Sequence, residues 1–332
     1  MYKEFFGLQK LPFNLTPDPD FLFLPTKHAE ALAGLVYAIT ERKGFVVLTG
    51  DAGTGKTTLL SAVLQQLPTD RVRSSVILNP TLTPAEFLEI VLLDFGVKEV
   101  PVSKAQRLWK LQDVLLQAYR NEGIAVLVID EAHQLSLEVL EEIRLLGNFE
   151  YGADKFLQIV LLGQCELNDL LDRQDVRQFK QRIALRLYVD PLSASEVEQY
   201  LQFRWKKAGG SALPFSPEAT RCITEHSHGI PRLVNSLCDT SLLMAFGDAS
   251  HHVSARHIQD AAVNLCLTDD SVLQPVDSPA AAIPRIDGPA AGKLRTMKAE
   301  ERTRSIPTLD GYASRANSSW LKRLAGRLGA HQ

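Results

Sequence analysis

Between positions 45 and 189 the chain alternates short, continuous apolar runs with longer stretches of helical periodicity. Phe45–Thr49, Ser75–Leu78, Ala125–Ile129, Leu157–Leu162 and Ala184–Val189 read as strands. The run Ala125-Val126-Leu127-Val128-Ile129 has no polar alternation, the pattern of a strand buried on both faces. Residues 28–43 place Ala31, Leu32, Leu35, Val36 and Ile39 on one helical face, with Gly44 as the stop. Thr58–Leu64 reads as a helix, Thr83-Pro84-Ala85-Glu86 as a capping box with proline at the first helical position, and residues 104–120 as an amphipathic helix. Strands that alternate with helices predict an α/β class, a five-stranded parallel sheet covered by helices.

After Asp190 the strand pattern stops. Ser193-Ala194-Ser195-Glu196 is a second capping box, Ser216-Pro217-Glu218 opens a helix, Pro231 opens another and Ser254 caps a fourth. These signals predict an α/β domain over 28–190 followed by an all-helical lid domain over 191–266. Residues 1–27, rich in Phe and Pro, carry too much apolar surface for a free end and are expected to wrap over a domain. Prolines, alanines and small polar residues over 267–316 predict a disordered, flexible linker. Residues 317–332 allow a short basic amphipathic helix, with Trp320, Leu324 and Leu328 on one face and Arg323 and Arg327 on another.

Charge sharpens this division. The whole chain carries −3, yet residues 271–332 hold ten Lys/Arg against five Asp/Glu, so the first 270 residues sum to −8. A basic tail on an acidic body points to a contact segment, either a peripheral membrane contact or a protein dock. The four cysteines are scattered without metal spacing, the pattern of free thiols in a reducing compartment. Met1–Phe6 lacks the apolar core of a signal peptide, and no apolar run approaches the ~18 residues of a membrane span. The expected location is cytoplasmic.

The chemistry is concentrated at Gly50-Asp51-Ala52-Gly53-Thr54-Gly55-Lys56-Thr57, which follows an apolar strand and opens a helix. That context is what a P-loop requires. Glycines let successive backbone N–H groups turn around a polyphosphate, and the helix dipole adds positive potential. Lys56 is placed for the β- and γ-phosphates, Thr57 for Mg²⁺, and Thr58 continues the cradle. At the tip of the third strand, Asp130 is expected to hold the Mg²⁺ shell and Glu131 to polarise the attacking water. The implied cofactors are ATP and Mg²⁺. Gln164, at the tip of the fourth strand, is a candidate sensor of phosphate state, and Asn148 a weaker candidate for the same neighbourhood. The histidines read as structural or exposed, and only His28 and His133 lie near the nucleotide machinery.

Two arginine positions extend the site. The run Arg177-Gln178-Phe179-Lys180-Gln181-Arg182 precedes the fifth strand, on the side of the sheet away from the chain's own nucleotide. An arginine there can serve a neighbouring subunit as a trans finger, with Arg182 first, Arg177 second and Arg186 also open. Gly229-Ile230-Pro231-Arg232 places an arginine in the first turn of a helix, against the dipole, where bound phosphate is the natural partner.

Together these residues resemble an AAA+ ATPase: Walker A at 50–57, Walker B at 125–131, a sensor position, arginines like those of box VII, and a Gly-x-Pro-Arg sensor 2 at 229–232. Tyr2, Phe5-Phe6-Gly7-Leu8, Pro12-Phe13, Pro17-Asp18-Pro19, Phe21-Leu22 and His28-x-Glu30-Ala31-Leu32 resemble the start of ExeA-type ATPases, the general secretion pathway protein A family. The resemblance covers about residues 1–266. It implies ATP hydrolysis, a homo-oligomeric ring or helical assembly, and a role in assembling or controlling an envelope-associated secretion, pilus or exopolysaccharide machine. Secretion members carry, by resemblance, a membrane helix and a peptidoglycan-binding domain after the ATPase, whereas this sequence continues into a polar linker and a basic segment. The rival reading is a DNA-binding ATPase adaptor for transposition, of the TnsC kind. A third is a nucleotide-gated scaffold.

Overall fold

The structure is a computed structural model that describes residues 2–16, 18–67, 71–152 and 154–267. The linker expected over 267–316, beyond its first residue, and the helix expected over 317–332 lie outside the described residues.

Strands β1 (Phe45–Gly50), β2 (Val72–Ile77), β3 (Ile124–Ile129), β4 (Leu157–Gly163) and β5 (Ile183–Val189) form one parallel sheet in the order β2-β3-β4-β1-β5. The core strands are apolar throughout because each face has its own layer of helices. Val47, Leu127, Ile129, Ile159 and Leu161 point into one apolar cluster, and their neighbours Val46, Leu48, Val126, Val128, Val160 and Leu162 into the other. The first cluster is closed by helices α3 (Pro84–Asp94), α4 (Lys104–Arg120), α5 (Leu137–Leu146) and α6 (Glu166–Asp172). The second is closed by α1 (Thr26–Thr40) and α2 (Lys56–Gln66).

The edge strands depart from the sequence expectation. β2 begins at Val72, before the predicted Ser75, because exposed Arg73 and Ser74 pair on one side only and leave no apolar signature. β5 alternates half-buried and exposed residues for the same reason. The capping box at Thr83 and Glu86 forms as expected.

Beyond Asp190 come α7 (Ala194–Lys207), α8 (Pro217–Ser227), α9 (Pro231–Gly247) and α10 (Ala255–Asn264). Their apolar faces share a third cluster with the opening segment, to which Tyr2, Leu8, Phe13 and Phe21 contribute. Phe13 is fully buried and meets Phe215 edge-on, while Phe6 meets Trp205. Arg204 donates to the Pro12 carbonyl at 2.5 Å and holds the segment on α7. Among the described residues no helix is long and apolar enough to cross a membrane.

The register fixes where chemistry can occur. Thr49 lies beside Gly163, Gly50 beside Val189, and Ile129 beside Leu161. The carboxyl ends of β1, β3 and β4 therefore finish on one edge of the sheet, the edge at which parallel α/β sheets bind ligands.

Candidate nucleotide site

The loop from Gly50 to Gly55 leaves the buried end of β1 and turns directly into α2, whose first residue is Lys56. Thr54 is buried, and its hydroxyl donates to the Asp51 carbonyl at 2.9 Å, which closes the loop on itself. Ala52 sits exposed at the tip, and Thr58 is half-buried in the first turn of α2. Gly53 has φ +84°, and a Cβ there would lie 2.7 Å from Cβ of Arg232, so a side chain is excluded on both grounds.

Lys56 is 7% exposed, and its Nζ donates to the carbonyls of Gly50 at 2.8 Å and Asp51 at 2.9 Å. Burial lowers its pKa, although Glu131, Asp130 and Asp51 each favour the charged form. A buried ammonium held by carbonyls alone has unused capacity for an anion.

Thr57 Oγ1 donates to Asp130 Oδ2 at 2.8 Å, and the other carboxylate oxygen of Asp130 accepts the Glu131 N–H at 2.9 Å. Asp130 is itself tied to the neighbouring strand through its N–H and the Ile77 carbonyl at 2.8 Å. Glu131 stands at φ +50°, an uncommon conformation for a residue with a side chain, and its Oε2 is buried without a hydrogen-bond partner. The oxygen pair on Thr57 and Asp130 suits a hard cation such as Mg²⁺, and the ammonium at Lys56 suits the triphosphate it would accompany. The donor set fits MgATP.

Gln164 reaches the same edge through His133. Its backbone N–H lies 3.5 Å from Nδ1 of His133, its side-chain Nε2 lies 3.5 Å from Nε2, and Glu131 Oε2 is 3.5 Å from Nδ1. His133 thus stands between the second acid and the sensor position, which its place three residues after Asp130 hinted at. His28 is a second residue whose contact sequence reasoning missed. It is 6% exposed and hydrogen-bonds the backbone of Thr54, while burial lowers its pKa. The available signal was its position in the apolar stripe of α1, in step with Ala31, Leu32 and Leu35. Next to it, Lys27 pairs with Asp190 at 2.6 Å, which raises the Lys27 pKa. Cys165 and Tyr188 flank the loop. Cys165 Sγ lies 3.8 Å from Asp51 Oδ1, and burial together with Asp51 pushes the Tyr188 hydroxyl up to about 12.

The arginines divide. The Arg232 N–H donates to the Gly53 carbonyl at 3.2 Å, so the start of α9 rests on the P-loop, and the exposed guanidinium has no ion pair among the described residues. Arg182 lies beside Ile183, which pairs with Phe45 at the opposite end of β1, roughly 17 Å of strand away from the P-loop. Its Nη1 donates to the Arg144 carbonyl at 2.9 Å, and burial lowers its pKa. Arg186 is engaged by Asn168 Oδ1 at 3.2 Å and lies 3.8 Å from Asp172. Arg177 is exposed and has no ion pair among the described residues. One expectation is corrected. Asn148 lies past the end of α5 and is exposed, next to Gly147, whose Cβ position meets the ring of Phe45. It belongs to the amino-terminal end of the sheet because α5 runs back along the sheet before it stops.

A P-loop at the end of β1, paired acids at the end of β3 and this strand order define an AAA-type P-loop NTPase, and residues 39–171 match the family described as AAA domain. Over its matched region the chain is of the ExeA type: it is 41% identical over 257 residues to General secretion pathway protein A of Aeromonas hydrophila, covering 76% of this chain. The chain spans 46% of the length of that relative. The fold is similar to that of the Aeropyrum pernix ORC1 protein in complex with DNA, with TM-score 0.59, 19% identity, and 77% and 69% of the two chains covered. It is also similar to Aeropyrum pernix ORC2 in ADPNP–ADP complexes, with TM-score 0.58, 16% identity, and 78% and 72% covered. At such identities the likeness is one of fold.

Proposed function

We propose that this chain binds MgATP at residues 50–58 and hydrolyses it, and that turnover drives the assembly or control of an envelope-associated secretion, pilus or exopolysaccharide machine. The observation that carries the reading is the Asp130 carboxylate, which bonds Thr57 on one oxygen and the Glu131 N–H on the other. Thr57 and Asp130 would hold Mg²⁺, which supplies charge neutralisation at the β- and γ-phosphates. Lys56 binds the same phosphates. Glu131, whose buried Oε2 makes no hydrogen bond and lies 3.5 Å from His133 Nδ1, takes a proton from the attacking water. Gln164 and His133 report the state of that carboxylate, and Arg232 clamps the phosphate end from α9.

The trans arginine finger is better assigned to Arg177 than to Arg182, since Arg182 is spent on the Arg144 carbonyl. A finger supplied by the next subunit requires head-to-tail contacts, hence a homo-oligomer. The envelope pathway rests on the likeness to General secretion pathway protein A. We place the protein in the cytoplasm, peripheral to the inner membrane.

The test is phosphate release by wild type and Glu131→Gln, with ATP affinity measured in parallel. Hydrolysis is expected to fall by about 10²-fold or more with affinity retained. Equal release by both proteins would sink the assignment. Tight duplex binding in ATP that weakens steeply with salt would instead favour a DNA adaptor.

A further inference from the structure

The opening segment and α7 line an open cavity of about 460 Å³ whose lining shares no residue with the nucleotide site. Arg204 lines it and is only 8% exposed. Its Nε donates to the Pro12 carbonyl at 2.5 Å and its Nη1 to the Tyr200 hydroxyl at 2.8 Å. Both partners are neutral. Among the described residues no carboxylate pairs with this guanidinium. Buried cations are ordinarily matched by an anion, since desolvation otherwise opposes them.

Lys10 Nζ lies 5.8 Å and Arg204 Cζ 5.0 Å from the centroid of the same Phe21 ring, so two cations converge on one aromatic group. Lys3 is a third cation in the lining. Acids share the space: Glu4 and Asp18 also line it, Glu4 pairs with Lys3 at 3.5 Å and Asp20 with Lys10 at 3.2 Å, so Arg204 is the cation left without a carboxylate and an occupant competes with Asp20 for Lys10. Asn14, also in the lining, accepts the Thr16 N–H on its Oδ1 and keeps its amide N–H groups for another partner.

We propose that this cavity is a second anion site, separate from the P-loop, that takes the phosphate group of a small soluble molecule. A guanidinium edge, an ammonium and an amide donor around one space suit an oxyanion, and the volume lies in the range of small-molecule sites. An occupant bridges the opening segment to α7. That segment continues into α1, where His28 bonds the P-loop at Thr54, so occupancy also bears on the nucleotide site.

The experiment uses the full chain with inorganic phosphate and with glycerol 3-phosphate, against chloride at equal ionic strength. Hydrogen exchange across residues 2–16 and the thermal midpoint are the readouts. Phosphate at millimolar concentration is expected to slow exchange in that segment in wild type and in Lys56→Ala alike. Lys10→Ala and Asn14→Ala, both at exposed positions, are expected to weaken the response about tenfold each. A response no larger than that of chloride overturns the proposal. So does a response abolished by Lys56→Ala but kept by Lys10→Ala, which would place the phosphate in the P-loop. Binding to anionic phosphatidylglycerol vesicles that depends on Lys10, without any response to soluble phosphate, overturns the soluble ligand in favour of a lipid headgroup.

Discussion

The backbone N–H of Arg232 donates to the carbonyl of Gly53 at 3.2 Å, so α9 begins on the phosphate loop itself. Helix starts leave N–H groups without intrahelical partners, and here the P-loop supplies one. The contact fixes the Arg232 side chain at the loop while leaving its charge without an ion pair among the described residues. Arg232→Ala keeps the backbone bond and removes only the charge. We expect ATP affinity to fall roughly 10- to 100-fold, the value of one charge-assisted contact, with the thermal midpoint unchanged. Nucleotide titration followed by fluorescence or calorimetry checks this, and unaltered affinity would remove Arg232 from the site.

Gly229 prepares that contact. It has φ +74°, and a Cβ there would stand 1.9 Å from the carbonyl oxygen of Leu192, whose N–H in turn donates to the Gly229 carbonyl at 2.8 Å. The crossing of the chain leaving the sheet and the chain entering α9 therefore leaves no room for a side chain. Gly229→Ala combines a left-handed backbone with a clash against rigid main chain and should cost about 2–5 kcal/mol. A denaturant midpoint within error of wild type would show that the two segments separate without cost.

Much of this architecture was legible in the sequence, for reasons that differ by element. Ala125–Ile129 and Leu157–Leu162 announce themselves because strands buried on both faces need apolar residues at every position. Ser193, Ser216 and Thr83 mark their helices because a side-chain acceptor at the start satisfies the first N–H groups. The P-loop and the acids at 130–131 are legible because phosphate and Mg²⁺ chemistry restricts which residues serve. His28 and His133 were placed near the nucleotide machinery, but their contacts escaped because these come from packing across the sheet edge, between residues 26 and 31 positions apart in the chain. The tie of Arg182 to Arg144 escaped for the same reason, since a side chain bonded to a distant carbonyl leaves no local pattern.

His28 gives the site a pH dependence with a definite sign. Burial lowers its pKa in the folded chain, whereas the unfolded chain titrates near the ordinary imidazole value of about 6.5. Between those values the unfolded chain binds more protons, so stability rises with pH there and is lost as pH falls below about 6.5. Glu196 and Asp190, the charged groups that face the ring, favour protonation but do not reverse the shift. Urea midpoints at pH 7.5 and 5.5 should differ more for wild type than for His28→Asn, which retains a donor toward Thr54 without titrating. Equal pH slopes in the two proteins would assign the acid sensitivity to other groups.

The arginines before β5 make separable demands on a neighbouring subunit. Arg182 bonds the Arg144 carbonyl, so Arg182→Ala removes an intramolecular tie at the end of α5 and should lower stability by about 1 kcal/mol. Arg177 makes no such tie among the described residues, and Arg177→Ala should leave the monomer as stable as wild type. If Arg177 reaches a second copy's phosphates, its loss should cut hydrolysis by about 10³-fold or more at protein concentrations that support assembly, because a finger acts on the charge that develops in the transition state. ATP affinity should stay nearly constant, since ground-state binding belongs to Lys56 and the loop. Mixing Arg177→Ala with Glu131→Gln then restores part of the lost turnover, because the intact Glu131 of one protein meets the intact Arg177 of the other. Failure of that mixture to exceed the sum of its parts, in material shown by light scattering to be assembled, would place the finger elsewhere or dispense with it.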